Sequence, residues 1–418
     1  MRIALVCDYS LDYLGGAQSA FLDQARILRE RGHSVTIVAP ALRGAAGQTW
    51  ATNWRSGRGG VVPVPARIVL PGVDLPVVRN SAALRAHLDE ELQSRRIDVV
   101  HLHSEFGLSA AAVAAARGRG IPTVQTVHTF FWQAPMPRIA GVIAAAGVRG
   151  FTRWLRGFAA GDASLAVRPL DSALRNVTLS MGKRVDAVVS PSAHQADRLR
   201  AAGLDNVHVV PNAIALGDEP GAALTMDAVA PPLRIVWVGR LVPEKRLLEF
   251  VDAVVLAAAR VAPGSLEVEI IGEGPLRADA ERRAAGAPVR FAGRLARDDV
   301  AAAMRRADLV ALTSYGFDNQ PMTVIEALHA GRSVLYVDPA LTEGLEAAGI
   351  LASPQTSEGM ADALVRLANN PAEVVDASAR AVVAAREFDP DVYVERLLAV
   401  YEAAAARSDR RLALTTRL

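Results

Sequence analysis

The stretch LVALTSYGFDNQPMTVIEAL, residues 309–328, runs from an apolar segment through a loop holding Asp318 to a second carboxylate, Glu326, eight positions further on. Residues 309–313 read as a buried parallel strand, which makes 314–320 the loop at its carboxyl end, where open α/β sheets bind ligands. Pro321 suits the first position of a new helix, and the amides of Met322, Thr323 and Val324 would then lack intrahelical acceptors. A helix start facing out of a strand end is an anion site. Carboxylates only accept hydrogen bonds, so Asp318 and Glu326 flanking a phosphate suit sugar hydroxyls, and the set describes a nucleotide-sugar. A plain structural arrangement, with Asp318 capping the helix and Glu326 solvated, fits the same spacing, which by itself leaves both readings open.

Outward from this stretch, apolar runs of four to eight residues recur along the chain, each followed by a longer amphipathic one. That is the pattern of βα units on parallel sheets. It predicts strands at 3–7, 34–39, 99–102, 123–127, 187–190 and 207–210, then at 235–238, 268–271, 289–292, 309–313 and 333–337. The halves echo one another: Gly32-His33-Ser34-Val35-Thr36-Ile37-Val38 matches Gly331-Arg332-Ser333-Val334-Leu335-Tyr336-Val337 in spacing. Asp98, Asp186 and Asp308 each stand just before a strand, as generic helix-to-strand turns require. Gly217-Asp218-Glu219-Pro220-Gly221 and the Pro231-Pro232 pair break the periodicity and mark a boundary. The expected organisation is therefore an N-terminal domain over 1–213, a C-terminal domain over 214–390, a helix over 391–408 packing back on the N-terminal domain, and a tail over 409–418.

With 418 residues, 51% hydrophobic and 22% charged, the chain has enough apolar surface for two cores. Lys and Arg total 46 against 44 for Asp and Glu, so no global basic field would draw nucleic acid, and none is expected as a partner. Cys7 is the single cysteine, which excludes an internal disulfide and a Cys-rich zinc site and suits a reducing compartment. The opening run, Met1 to Cys7, is short for a signal peptide, and no uncharged apolar run approaches the roughly 18 residues of a membrane span. The expected location is cytoplasmic, either free or peripheral on the inner face of the cell membrane.

Asp318-x7-Glu326 followed by Ala327-Leu328-x-Ala330-Gly331 resembles the E-x7-E element of retaining glycosyltransferases of the GT-B fold, especially family 4, the group 1 glycosyl transferases. Val238-Gly239-Arg240-Leu241 with Pro243-Glu244-Lys245 is similar to that family's donor-phosphate loop, and Ile271-Gly272-Glu273-Gly274-Pro275 to its continuation. Val209-Val210-Pro211-Asn212, Leu14-Gly15-Gly16 and Val127-His128-Thr129 resemble further family segments, in the family's order. The resemblance implies an α/β GT-B protein, two facing Rossmann-like domains with a cleft between them, that moves a hexose, glucose or mannose, from a UDP- or GDP-sugar. The sequence departs from the pattern twice, with Asp318 where the family usually has Glu and Ala213 where it commonly has Gly.

A departing diphosphate needs fixed positive charge, for which Arg240 and Lys245 are the candidates, the second in the first turn of a helix. The resemblance assigns the ribose to Glu326, sugar hydroxyls and phosphate to Asp318, Asn319, Gln320, Pro321, Met322 and Thr323, and a donor-sugar contact to His128. Gly15 and Gly16 permit close backbone approach to a phosphate or to the acceptor. The family also implies retention of configuration, the departing phosphate helping to deprotonate the acceptor. No metal-ligand spacing stands out: His101 and His103 share a strand face without a third ligand, so no metal and no cofactor is expected, and an acceptor-side or structural role is left for them.

Between His128 and Asp186, Arg138, Arg149, Arg153, Arg156, Arg168, Arg175, Lys183 and Arg184 face only Asp162 and Asp171. Ile139, Val142, Ile143, Phe151, Trp154, Leu155 and Phe158 recur at helical spacing, after Phe130, Phe131 and Trp132. A basic amphipathic helix with aromatics marks an anionic membrane surface, and with it a lipid or lipid-linked glycan acceptor of the cell envelope; His103, Trp132, Arg149, Arg153 and Trp154 are the residues expected on that side. An ordinary helix with a solvated basic face fits equally. Other readings of the whole are a nucleotide-sugar-binding protein without turnover, a transferase with a soluble acceptor, and a sugar-nucleotide epimerase, against which the Asp318-to-Glu326 element argues.

Overall fold

The computed structural model describes residues 1–12, 15–42, 49–55, 57–70, 75–131, 133, 136–215 and 220–415. The chain divides into an N-terminal unit, Met1–Ala215 with Pro390–Leu418, and a C-terminal unit, Leu216–Asp389.

The N-terminal unit contains β1 (Arg2–Val6), β2 (Ser34–Leu42), β3 (Val61–Ala66), a small hairpin of β4 (Val69–Leu70) and β5 (Leu75–Pro76), β6 (Val99–Leu102), β7 (Thr123–Thr126), β8 (Ala187–Ser190) and β9 (Val207–Val209). Apart from the hairpin these form one parallel sheet in the order β3-β2-β1-β6-β7-β8-β9. The inner strands β6, β7 and β8 are buried at every position, their polar members His101, Thr123, Gln125, Thr126 and Ser190 included. The C-terminal unit repeats the plan with β10 (Leu233–Val238), β11 (Leu266–Ile271), β12 (Val289–Gly293), β13 (Leu309–Leu312), β14 (Ser333–Tyr336) and β15 (Ile350–Leu351), ordered β12-β11-β10-β13-β14-β15. Each sheet reverses its winding once, between β1 and β6 and between β10 and β13; ligands of such sheets sit outside the strand ends at that switch.

The three aspartates before strands do one job in both units. The Asp98, Asp186 and Asp308 amides donate to the carbonyls of Arg2, Thr123 and Arg234, and their carboxylates accept those residues' amides at 2.7, 2.9 and 2.8 Å. Each ring pins the start of one strand to its neighbour, so the register is set before the ladder begins.

The last helix runs Pro390–Thr415, longer than the sequence suggests. Tyr393, Val394, Leu397, Val400, Tyr401 and Ala404, at three- and four-residue spacing, bury against Ile3, Leu5, Ile27 and Val99 of the N-terminal unit. The expected tail from 409 is helical instead, because Ser408 is buried and Arg411 pairs with Asp186, the latch of β8.

Candidate active site

In the C-terminal unit the switch-point loops bring Lys245 and Asp318 together. The Lys245 Nζ donates to both Asp318 carboxylate oxygens, at 2.7 and 2.8 Å, and lies 5.7 Å from the Phe317 ring. Lys245 sits in a short 3-10 turn, Pro243–Lys245, rather than in the first turn of the following helix, Leu247–Ala258; Arg246, at φ 51°, separates the two. Its carbonyl accepts from Thr313 Oγ1 at 2.7 Å, and Thr313 in turn accepts from the buried Trp237 indole at 2.9 Å. This chain fixes the lysine backbone to the ends of β10 and β13.

Asp318 does not cap the helix that follows. That helix begins at Met322, Pro321 stands before it with extended ψ, and no side chain caps it. The Val324 amide turns back to the Pro321 carbonyl at 3.0 Å, so the anion-facing amides reduce to those of Met322 and Thr323. Asn319 and Gln320 are buried, while Pro321, Met322, Thr323 and Glu326 are half-buried. The loop itself is held by Asp338, which accepts from the Gly316 amide at 2.6 Å and the Ala340 amide at 3.1 Å.

Arg240 is not in contact with Lys245 or Asp318: its guanidinium stands 3.7 Å from Glu244 and is more than half exposed. The loop that carries it is clamped by backbone alone. Leu241 donates to Glu273 O and Gly239 to Ile271 O, each at 3.0 Å, and a Cβ at Gly274 would lie 2.5 Å from the Leu241 carbonyl. Only glycine lets the two loops approach so closely. Thr313, Asp338 and Gly274 as a clamp are positions that sequence reasoning missed; their partners are distant in the chain, and only the Gly-Glu-Gly spacing hinted at one of them.

The N-terminal unit's switch point holds Asp8, His103, Glu105 and, on the adjacent strand end, His128. Asp8 is buried and accepts from Ser104 Oγ, Ser109 Oγ, and the Phe106 and Leu108 amides at the start of the helix Gly107–Gly118. Burial pushes its carboxyl above the usual range despite these donors. Glu105 accepts from Thr178 Oγ1 at 2.8 Å, and burial pushes its carboxyl up to about 7. His128 is half-buried and held down to about 4, again by burial, so it is a neutral imidazole at pH 7. His103, expected on the acceptor side, is buried between Phe21, His101 and His128, and this burial removes it from any acceptor. Its Nδ1 lies 2.8 Å from His128 Nε2. Gly15 precedes the helix Gly16–Glu30, and a Cβ on Gly16 would meet no atom within 4 Å.

The helix Arg138–Arg156 presents Ile139, Val142 and Ile143 to solvent, the first 80% exposed, followed by Arg149, Arg153 and Trp154, also exposed. These six lie within about 140° of arc at an α-helix's 100° per residue. Arg156 and Leu155 do not belong to this face. Arg156 is buried, donating to the carbonyls of Thr152 and Val177 and to Ser180 Oγ, so the basic excess is smaller than the sequence implies. Trp132 lies outside the described residues.

Two doubly wound parallel sheets, each with its own switch point, are the α/β architecture of the GT-B fold. Two family profiles match: "Glycosyltransferase Family 4" over residues 14–217 and "Glycosyl transferases group 1" over 232–370. The chain belongs to the group 1 glycosyltransferases of family 4. It is 26% identical over 416 residues to a phosphatidyl-myo-inositol mannosyltransferase of Mycobacterium tuberculosis, covering 97% of each chain. It is 29% identical to a GDP-mannose-dependent alpha-mannosyltransferase of Mycolicibacterium smegmatis, over 66% of this chain and 64% of that one. Its fold matches the crystal structure of Anabaena HepE in complex with UDP, with TM-score 0.67 and 16% identity over 96% of this chain and all of that one.

Proposed function

We propose that this glycosyltransferase is a retaining, metal-independent enzyme that transfers a hexose from a UDP- or GDP-sugar to a hydroxyl of a lipid or lipid-linked cell-envelope glycan, at an anionic membrane surface. The observation that carries the reading is the Lys245–Asp318 pair beside the uncapped helix at Met322, a cation and a donor pair of amides where a diphosphate would arrive. In this reading the diphosphate displaces Asp318 from Lys245, Arg240 closes on the same charge, and Asp318, with Asn319 and Gln320, turns to the sugar hydroxyls. Glu326 holds the ribose. His128 donates a hydrogen bond to the donor sugar, and Gly15 and Gly16 leave room for the phosphate or the acceptor. The positive charge of Lys245 and Arg240 takes the part that a metal plays in other transferases.

The names of the mannosyltransferase relatives favour mannose, and GDP-mannose as its donor. The exposed Ile139-Val142-Ile143 patch, with Arg149, Arg153 and Trp154 on the same face, supports a lipid surface as the acceptor's setting. Among the described residues no helix is long and apolar enough to cross a membrane.

Calorimetric titration with UDP and with GDP, followed by GDP-mannose turnover on lipid extract, tests the reading. GDP binding with mannosyl-lipid formed is expected, as is co-sedimentation with anionic vesicles that weakens with salt. Donor binding with no turnover on any extract would make the protein a sugar-nucleotide binder. Full activity without vesicle binding would move the acceptor to solution.

A further inference from the structure

His103 and His128 share one hydrogen bond, and its direction follows from what surrounds them. Both imidazoles are neutral near pH 7, since burial holds His128 down to about 4 and His103 well below the ordinary range. Of two neutral nitrogens 2.8 Å apart, one carries the proton and the other must not. If His128 Nε2 were the donor, His103 would have to carry its own proton on Nε2. That nitrogen is buried and meets no partner. A buried N–H without an acceptor is among the rarest and costliest defects of a folded chain, whereas a bare acceptor is tolerated more often.

The geometry therefore assigns His103 as a positioning residue that donates its Nδ1–H to His128 Nε2 and so fixes His128 in the tautomer that presents an Nδ1–H donor. The ring of His103 cannot turn to offer anything else. Phe21 packs edge-on at 4.9 Å, and His101, two residues back on β6, lies 4.7 Å away. His101 is itself tied by Thr126 Oγ1 at 2.8 Å and by Tyr401 Oη at 2.9 Å, from the C-terminal helix. His128 is then a hydrogen-bond donor and not a base. This rests on the proposed placement of the donor sugar against His128: a fixed N–H can hold a sugar or leaving-group oxygen, while the proton from the acceptor must go elsewhere.

The test has two independent arms. Long-range nitrogen-proton NMR of the intact protein at pH 7 should show His128 protonated at Nδ1 and bare at Nε2, and His103→Ala should abolish that single state. Steady-state transfer should fall about tenfold to a hundredfold in kcat for His103→Ala, with the donor KM changed less than about threefold. His103→Asn, whose amide nitrogen falls near the lost Nδ1, should recover most of kcat; His103→Gln, whose amide is displaced, should not. A His128 Nε2–H resonance in the wild-type protein would overturn the assignment whether or not the protein transfers sugar. The expected tautomer in a protein that transfers nothing would uphold it and overturn the transferase reading instead. Equal kcat in the Asn and Gln variants would reduce His103 to packing.

Discussion

The two units solve the same topological problem with opposite electrostatics. At the C-terminal switch point the functional groups are charged and partly open: Lys245 on Asp318, Arg240 near Glu244. At the N-terminal one three imidazoles are held neutral, far below their ordinary range, and burial pushes Glu105 up to about 7. A diphosphate needs charge that water has not already screened, which a half-buried lysine supplies. In the proposed reading, sugar hydroxyls meet an oriented imidazole pair, His103 buried and His128 half-buried. In the proposed function the contrast gives each unit one task.

The largest break in that contrast should come from removing its charge. Lys245→Ala takes away the cation and leaves Asp318, with little side-chain exposure, lacking its partner. We expect kcat/KM to fall by about a hundredfold to a thousandfold, the effect of losing one donor to a developing oxyanion. Asp318→Asn should separate the roles: GDP binding by calorimetry is kept or tightened, because Lys245 no longer has a competing anion, while transfer is lost with the sugar contact. Weakened GDP binding in Asp318→Asn would instead make the carboxylate a scaffold for Lys245.

A smaller effect distinguishes two glycines. Gly274→Ala drives a Cβ into the Leu241 backbone and should destabilise the C-terminal unit by about 1–3 kcal/mol, seen as a lower Tm together with weaker GDP binding. Gly16→Ala meets open space at the start of a helix and should leave Tm unchanged or slightly raised. Its loss should appear in transfer alone. A drop in Tm for Gly16→Ala would mean that this glycine serves the fold and not a ligand.

These assignments also show what the sequence could carry. Strands buried on both faces read from their Val-rich cores, and β6 and β8 match their expected bounds. The edge strand β3 was invisible because Pro63 and Pro65 look like turn residues. They fit because they point outward from a strand paired on one side only, while Val62, Val64 and Ala66 point in. Asp318 is singled out by its spacing between a strand end and a helix start, and Lys245 and His128 by the family resemblance. The contacts that orient them, Thr313 to the Lys245 carbonyl, Asp338 to Gly316 and His103 to His128, join segments 22 to 68 residues apart and leave no local pattern. For His103 the sequence leaves an acceptor-side or a structural role, and its burial fits the second: alternation gives a residue's face of the sheet, not the depth at which it is covered.

The least dramatic consequence of the contrast is its pH dependence, which concerns the N-terminal unit. His128 and His101 fall from an ordinary 6.5 to about 4 and about 3 on folding, so their contribution to stability is present above 6.5 and is lost as pH falls toward those values. Glu105 runs the other way. Its carboxyl rises from 4.5 to about 7, so its contribution is complete below 4.5 and is lost as pH rises through 7. Between 4.5 and 6.5 the two oppose each other, and the imidazoles, being more numerous, should make the wild-type Tm fall on acidification. Glu105→Gln keeps a neutral group that can still accept from Thr178 but removes the opposing slope. Relative to wild type, its Tm should gain about 2–4 °C on going from pH 5 to pH 8. A difference that stays constant across that range would mean that Glu105 is ionised throughout, and that the N-terminal site holds a buried charge after all.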